Sequence, residues 1–358
     1  MKLSRLHRAI LPVILGGMIL LSCTGNKKTT NTMETKYEKG TFGYDVNYLS
    51  EKDSGLIVLK SNNEQAQVIL SAKYQAKVFT STANGPGGNS HGFVNYRFFD
   101  AGVVDIHMNG FGGENRFWLG PEGGQYSIYF SPGSEQVYDN WHTPKAIDIE
   151  AWETRDITGK EATFHKEMEL PNYLGNTLQL EVERKIALLN DEQVAKELNV
   201  TIPVGVNIVA YSTENRITNR NDFEWTDETG TVCIWMLDMY NPSEEAVTVI
   251  PYNKGDETEL GNVVTSDYFG EIAADRLVDD NGILYFKTDG KSRGKLGLNA
   301  KRTTAVAGNY DPVTKRLTII TFDVHPDDTY LNQEWNPERD PLVGDALNAY
   351  NDGPLEDG

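Results

Sequence analysis

Thr177-Leu-Gln-Leu-Glu-Val-Glu-Arg-Lys-Ile186 is the stretch that decides the fold class. Leu178, Leu180 and Val182 fall on one face at period two, with Gln179, Glu181 and Glu183 on the other, which is the signature of a half-solvated antiparallel strand. Outward from it, segments rich in Val, Ile, Tyr, Phe and Thr recur between turn residues: 55–59, 67–70, 75–80, 92–99, 126–130, 177–189, 204–213, 231–239, 246–250, 283–287 and 316–324. Residues 162–170 have the same character. The one helix predicted is Asn190 to Leu198, where Asn190 caps, Asp191 and Glu192 meet the positive end of the dipole, and Val194, Ala195 and Leu198 share a face.

Strand-helix alternation, a phosphate-binding glycine loop and internal repeats are absent from the sequence. More strands than one twisted open sheet tolerates must divide into packed sheets, so the expectation is a single all-β unit, a large antiparallel β-sandwich with one short helix. Its 33 glycines and 14 prolines serve the turns.

The chain has 358 residues, with 52 acidic against 33 basic side chains and a net charge of −19. That balance opposes nucleic-acid binding, which needs clustered Lys and Arg. At the start, Lys2, Arg5 and Arg8 precede an apolar run, Ala9 to Leu21, too short to span a bilayer. It reads as a secretory signal over residues 1–22. Leu20-Leu21-Ser22-Cys23 resembles a bacterial lipobox, which makes Cys23 the lipidated N-terminus and the lipid the membrane contact. Cleavage there removes those three cations and leaves about −22. Residues 23–41 form the lipidated terminus and a polar tether, and 42–358 the folded domain. Lys27 and Lys28 directly after the cysteine favour a periplasm-facing anchor in a Gram-negative envelope. Cys233, the other cysteine, sits in an apolar run and reads as a small buried hydrophobe.

Asn109-Gly-Phe-Gly-Gly-Glu-Asn-Arg-Phe-Trp-Leu-Gly-Pro-Glu-Gly-Gly-Gln125 is the densest chemical stretch. Its glycines suit close approach of a ligand, and Glu114, Asn115, Arg116, Glu122 and Gln125 offer planar donors and acceptors suited to sugar hydroxyls. Trp118 adds a ring face. Trp141 and His142, in a turn, are further candidates for stacking and hydrogen bonding. Asp105/His107 and Asp323/His325 are two-ligand fragments without the spacing of a metal site, so neither a metal nor another cofactor is expected.

The Gly112-Gly-Glu-Asn-Arg-Phe-Trp-Leu-Gly-Pro-Glu122 segment resembles the pattern of galactose-mutarotase-like proteins, the aldose 1-epimerase superfamily, and more closely an uncharacterised family of bacterial lipoproteins within it. Residues 208–219, 235–243, 264–277 and 345–354 resemble that family too. The resemblance implies a β-supersandwich and a carbohydrate ligand. If catalytic, the protein would be an aldose epimerase in which a histidine and a glutamate exchange protons with the ring oxygen and the anomeric hydroxyl. His165, ten residues before Gly175, matches the histidine by spacing. The family's late glutamate, on a last strand, has no counterpart up to Gly358, and Glu122, Glu214 and Asp238 are substitute carboxylates. Three readings follow: an anomeric epimerase, a glycan-binding module without turnover, and a structural lipoprotein whose groove meets another protein.

Overall fold

The computed structural model describes residues 36–266 and 268–353. The signal, Cys23 and most of the tether lie outside these residues, as does the segment after Gly353. From Tyr37 onward the chain forms one unit. Its strands are β1 (Ile57–Lys60), β2 (Gln67–Ser71), β3 (Lys77–Thr82), β4 (Arg116–Gly120), β5 (Glu153–Ile157), β6 (Glu161–Pro171), β7 (Thr177–Leu188), β8 (Tyr211–Asn219), β9 (Cys233–Leu237), β10 (Val247–Pro251), β11 (Leu277–Asp280), β12 (Ile283–Lys287), β13 (Gly294–Leu298), β14 (Val306–Asp311), β15 (Arg316–Thr321) and β16 (Leu347–Asn351). They pair antiparallel in sheets ordered β1-β2-β3, β4-β9, β5-β6-β7-β8, β11-β12-β10-β14-β15 and β13-β16. The class is all-β.

Along β7, Leu178, Leu180, Val182, Arg184, Ile186 and Leu188 are buried in strict alternation. They pack with Phe117, Trp118 and Leu119 of β4 and with Val68, Leu70 and Val78 in the main core. A second core joins Phe42 and Leu49 to Ile69, Phe79 and Phe99, and a third lies between the five-stranded sheet and β13-β16, around Ile250, Phe286 and Leu296.

Helices depart from the expectation. The predicted one is present as Asp191–Glu197, with Asn190 and Gln193 in a reciprocal capping box. A longer helix, Phe42–Lys52, was not predicted, although Phe42, Val46 and Leu49 already stand at helical spacing. Within the expected strand 92–99, Tyr96–Ala101 is helical: Asn95 accepts from Phe98 N at the start, and Gly102 closes the end in the left-handed region. Residues 126–130 form no strand, because their buried aromatics pack from bends rather than from a ladder.

Leu180 is about 1% exposed, whereas Gln179 faces solvent. Truncating Leu180 to Ala is therefore expected to lower stability by about 2–5 kcal/mol in urea unfolding, with Gln179→Ala within about 0.5 kcal/mol of the parent. Equal losses from both would mean that the alternation does not set the buried face.

Candidate functional site

Gly112, Gly113, Gly120 and Gly123 of the 109–125 stretch admit neighbouring protein, not open space. A Cβ on Gly112 would lie 2.2 Å from Phe93 O, one on Gly113 2.5 Å from Lys77 Cδ, and one on Gly123 2.3 Å from Glu334 O. Gly112 and Gly113 also take positive φ, +82° and +130°, which lets Gly113 N donate to Phe93 O. The expected purpose of these glycines is thus corrected: they bring backbones together, which rigidifies β4.

Along β4 the polar side chains face inward. Arg116, 2% exposed, gives NH2 to Asp148 Oδ1 at 2.9 Å and to Ile147 O at 3.3 Å, and its guanidinium lies 4.1 Å from the Trp118 ring centroid. Asp148 also accepts from Asn109 N and Nδ2. Asn115 donates to Asp238 Oδ1 at 2.6 Å and accepts from the fully buried Arg184, which also holds Asn215 Oδ1 and Ala76 O. These groups are engaged by protein partners. Trp118 is fully buried and donates through Nε1 to Glu122 Oε1 at 3.0 Å.

Glu122 is where the stretch meets a cluster of charged and aromatic side chains. Gln333 Oε1 fixes its backbone by accepting from Glu122 N at 2.9 Å, and only one carboxylate oxygen has a protein donor among the described residues. Opposite stands Lys295 of β13. Its ammonium lies 4.2 Å from the Tyr268 ring centroid, 5.1 Å from Tyr350 and 5.2 Å from Trp235. Lys295 is 7% exposed, yet among the described residues no acceptor hydrogen-bonds it and no carboxylate approaches within ion-pair distance. Burial pushes its pKa down, while Glu122, Asp345 and Glu334 pull it back up. Burial raises the Glu122 carboxyl, opposed by Trp118, Lys295 and Arg116. Asp345, also raised by burial, accepts from Tyr268 OH. Trp235 is register partner of Trp118, and Tyr350 of Lys295, so two ladders hold the cage.

The cluster therefore combines aromatic faces, one cation and three carboxylates with unfilled hydrogen-bonding capacity.

Of the other sequence candidates, Gln125 is half-buried near this stretch, and Trp141 is 5% exposed between Tyr129 and Trp335 in a ring stack. His142 is exposed, stacked 5.0 Å from His107, with Nδ1 at 3.0 Å from Ile106 O. His165 lies on the solvent face of β6, its Nε2 3.2 Å from Glu181 Oε1 and its Nδ1 3.0 Å from Arg155, in a shallow depression of about 450 Å³. The four-stranded sheet's buried face carries the core that contains Trp118, so the sheet separates His165 from Glu122. Lys295, Trp235, Tyr268, Asp345 and Tyr350 were not singled out from the sequence. All but Lys295 fall in segments that resembled the lipoprotein family, and Lys295 gave no local signal because its neighbours come from four distant segments.

A second polar group flanks β4. Glu114 accepts from Ser81 Oγ at 2.7 Å, and burial pushes its carboxyl up to about 7; Asp238 is raised by burial to about 6.

Residues 40–358 match a family of unknown function (DUF6786), and the chain belongs to that family. No curated protein matches the chain. Among solved structures, it is similar to a galactose mutarotase-like protein from Lactobacillus casei, with 11% identity, 72% of this chain and 76% of that one covered, and a TM-score of 0.44. It is also similar to the Slr1438 protein from Synechocystis sp., with 12% identity, 72% and 73% coverage, and a TM-score of 0.38.

Because folded Glu114 holds its proton more tightly than the unfolded chain does, its contribution to stability is present below pH 4.5 and is lost as the pH rises toward about 7. The half-buried His91, lowered to about 4 by burial, acts in the opposite sense, so the comparison must be between variants. Between pH 4.5 and 7.5, Glu114→Gln is expected to lose about 3 kcal/mol less stability than the parent in urea unfolding. Parallel pH profiles would contradict the burial of an ionisable carboxyl there.

Proposed function

We propose that this chain is a carbohydrate-binding lipoprotein of the cell envelope, with its ligand at the Glu122–Lys295 cluster. The observation that carries the reading is Lys295: an almost buried ammonium, boxed by Trp235, Tyr268 and Tyr350, that lacks a hydrogen-bond acceptor from the described residues. Leaving such a cation unpaired is costly, and hydroxyl oxygens of a bound ring would supply its missing acceptors. Apolar C–H faces of a pyranose match the rings, and Glu122 and Asp345 accept from its hydroxyls. With three carboxylates around a single lysine, the ligand is neutral rather than anionic.

Anomeric epimerisation is the reaction this pair supports. Glu122 would take the proton of the anomeric hydroxyl and Lys295 would give one to the ring oxygen; on closing, each transfer reverses. Burial moves the two pKa values toward each other, which eases both transfers. His165 has no part in this scheme.

Titration with a panel of neutral mono- and oligosaccharides is expected to give a saturable change in tryptophan fluorescence, weakened at least tenfold in Lys295→Met. Polarimetry of fresh α-D-glucose or α-D-galactose separates turnover from binding: Glu122→Gln should keep binding and lose the acceleration. Silence across the panel would sink the carbohydrate reading. Acceleration unchanged in both variants would move the site elsewhere.

Cys23, in this proposal, carries the lipid that anchors the chain facing the periplasm. Cys23→Ala is expected to move the protein from the membrane pellet to the soluble fraction and to abolish incorporation of a labelled fatty acid; persistence of either would remove the anchor.

A further inference from the structure

Lys295 has a companion cation under an aromatic ring of its own. Arg293, which leads directly into β13, places its guanidinium 4.1 Å from the ring centroid of Phe269, as Lys295 places its ammonium 4.2 Å from that of the preceding residue, Tyr268. Tyr350 stands between the two pairs, its centroid 5.1 Å from the Lys295 ammonium and 6.5 Å from the Phe269 ring, tilted by 49°. Two steps along extended chain cover roughly 7 Å, so the arrangement repeats on the scale of a sugar residue. The two positions differ in exposure. Lys295 is buried, whereas Arg293 faces solvent and Phe269 and Tyr350 are 45% and 38% exposed. Neither ring belongs to any of the three hydrophobic cores. Stacking on Phe269 holds the planar guanidinium while leaving its N–H edge free, and among the described residues no acceptor hydrogen-bonds it and no carboxylate pairs with it. Asp352, exposed beside Tyr350, adds acceptors.

We propose, resting on the reading of the Glu122–Lys295 cluster as a carbohydrate site, that its ligand is a neutral oligosaccharide of at least two residues, the second of which stacks on Phe269 and Tyr350. The residue at Lys295 is the reducing end, because only that end carries the anomeric hydroxyl on which Glu122 acts. Outward from it, the apolar C–H face of the next ring covers the two exposed aromatics, Arg293 donates to its hydroxyls and Asp352 accepts from them. One cation and one anion beside Tyr350 balance each other, which suits an uncharged ring at the outer position as well. Tyr350 is shared by both positions and sets their spacing.

Calorimetric titration of the full-length protein separates the two positions. D-Glucose is compared with maltose, cellobiose and lactose, which carry glucose at the reducing end, and D-galactose with β-1,4-galactobiose. At least one disaccharide is expected to bind about tenfold more tightly than its own monosaccharide. Phe269→Ala and Arg293→Gln, both at exposed positions, should each remove most of that gain and change the monosaccharide affinity less than about twofold, whereas Lys295→Met weakens both ligands. Equal affinities for mono- and disaccharides, or a gain that survives Phe269→Ala, would overturn the outer position and leave the Lys295 site standing. Binding that Lys295→Met leaves untouched, or no binding of any sugar, would overturn the carbohydrate reading of the cluster and the outer position with it.

Discussion

Five register pairs between β4 and β9 fix the end of the candidate site that Trp118, Glu122 and Trp235 occupy. They set Trp118 beside Trp235, place Asn115 next to Asp238, and deliver the chain through Gly120-Pro121 to Glu122 near Lys295. The ladder is short. It is supported at one edge by the antiparallel Val78–Asn115 bridge to β3 and on a face by the buried side chains of the four-stranded sheet.

That burial imposes a cost, since β4 carries Glu114, Asn115 and Arg116 into the interior. Each has at least one specific partner, although Glu114 Oε2 and Arg116 Nε have none among the described residues, and breaking one side of such a pair leaves an uncompensated charge or dipole. Arg184 is the clearest case, with Ala76 O, Asn115 and Asn215 all facing its guanidinium. Lys77 is fully buried, its Nζ has no hydrogen-bond partner among the described residues, and burial, with Arg116 nearby, holds its pKa well below the ordinary lysine value. The polar groups along β4 thus define a unique core, whereas those of the Glu122–Lys295 cluster keep bonding capacity in reserve.

Much of the architecture was legible because a strand's period of two is a local signal. Thr177 to Ile186 shows it openly, as do 283–287 and 316–321. Phe42 to Leu49 was missed for another reason: polar and glycine residues interrupt the helical spacing, and the helix is held by tertiary contacts from Ser90 and Tyr96 to Asp45. The cluster was half legible. Glu122 and Trp118 stand in one dense motif, but Lys295 acquires its character from Trp235, Tyr268, Tyr350 and Asp345, which no spacing in the chain connects. Arg116 and Asn115 looked like ligand-binding groups because residue type reports hydrogen-bonding capacity and not who uses it; Asp148, Asp238 and Arg184 are supplied by other elements.

The central claim is that Lys295 is the group a carbohydrate satisfies. Its side-chain ammonium signal, followed by isotope-edited NMR during titration with a neutral pyranose, tests this most directly. The account predicts a saturable shift of that signal together with the indole of Trp235, while His165 stays fixed. Saturable binding that leaves Lys295 unmoved and shifts His165 would contradict it.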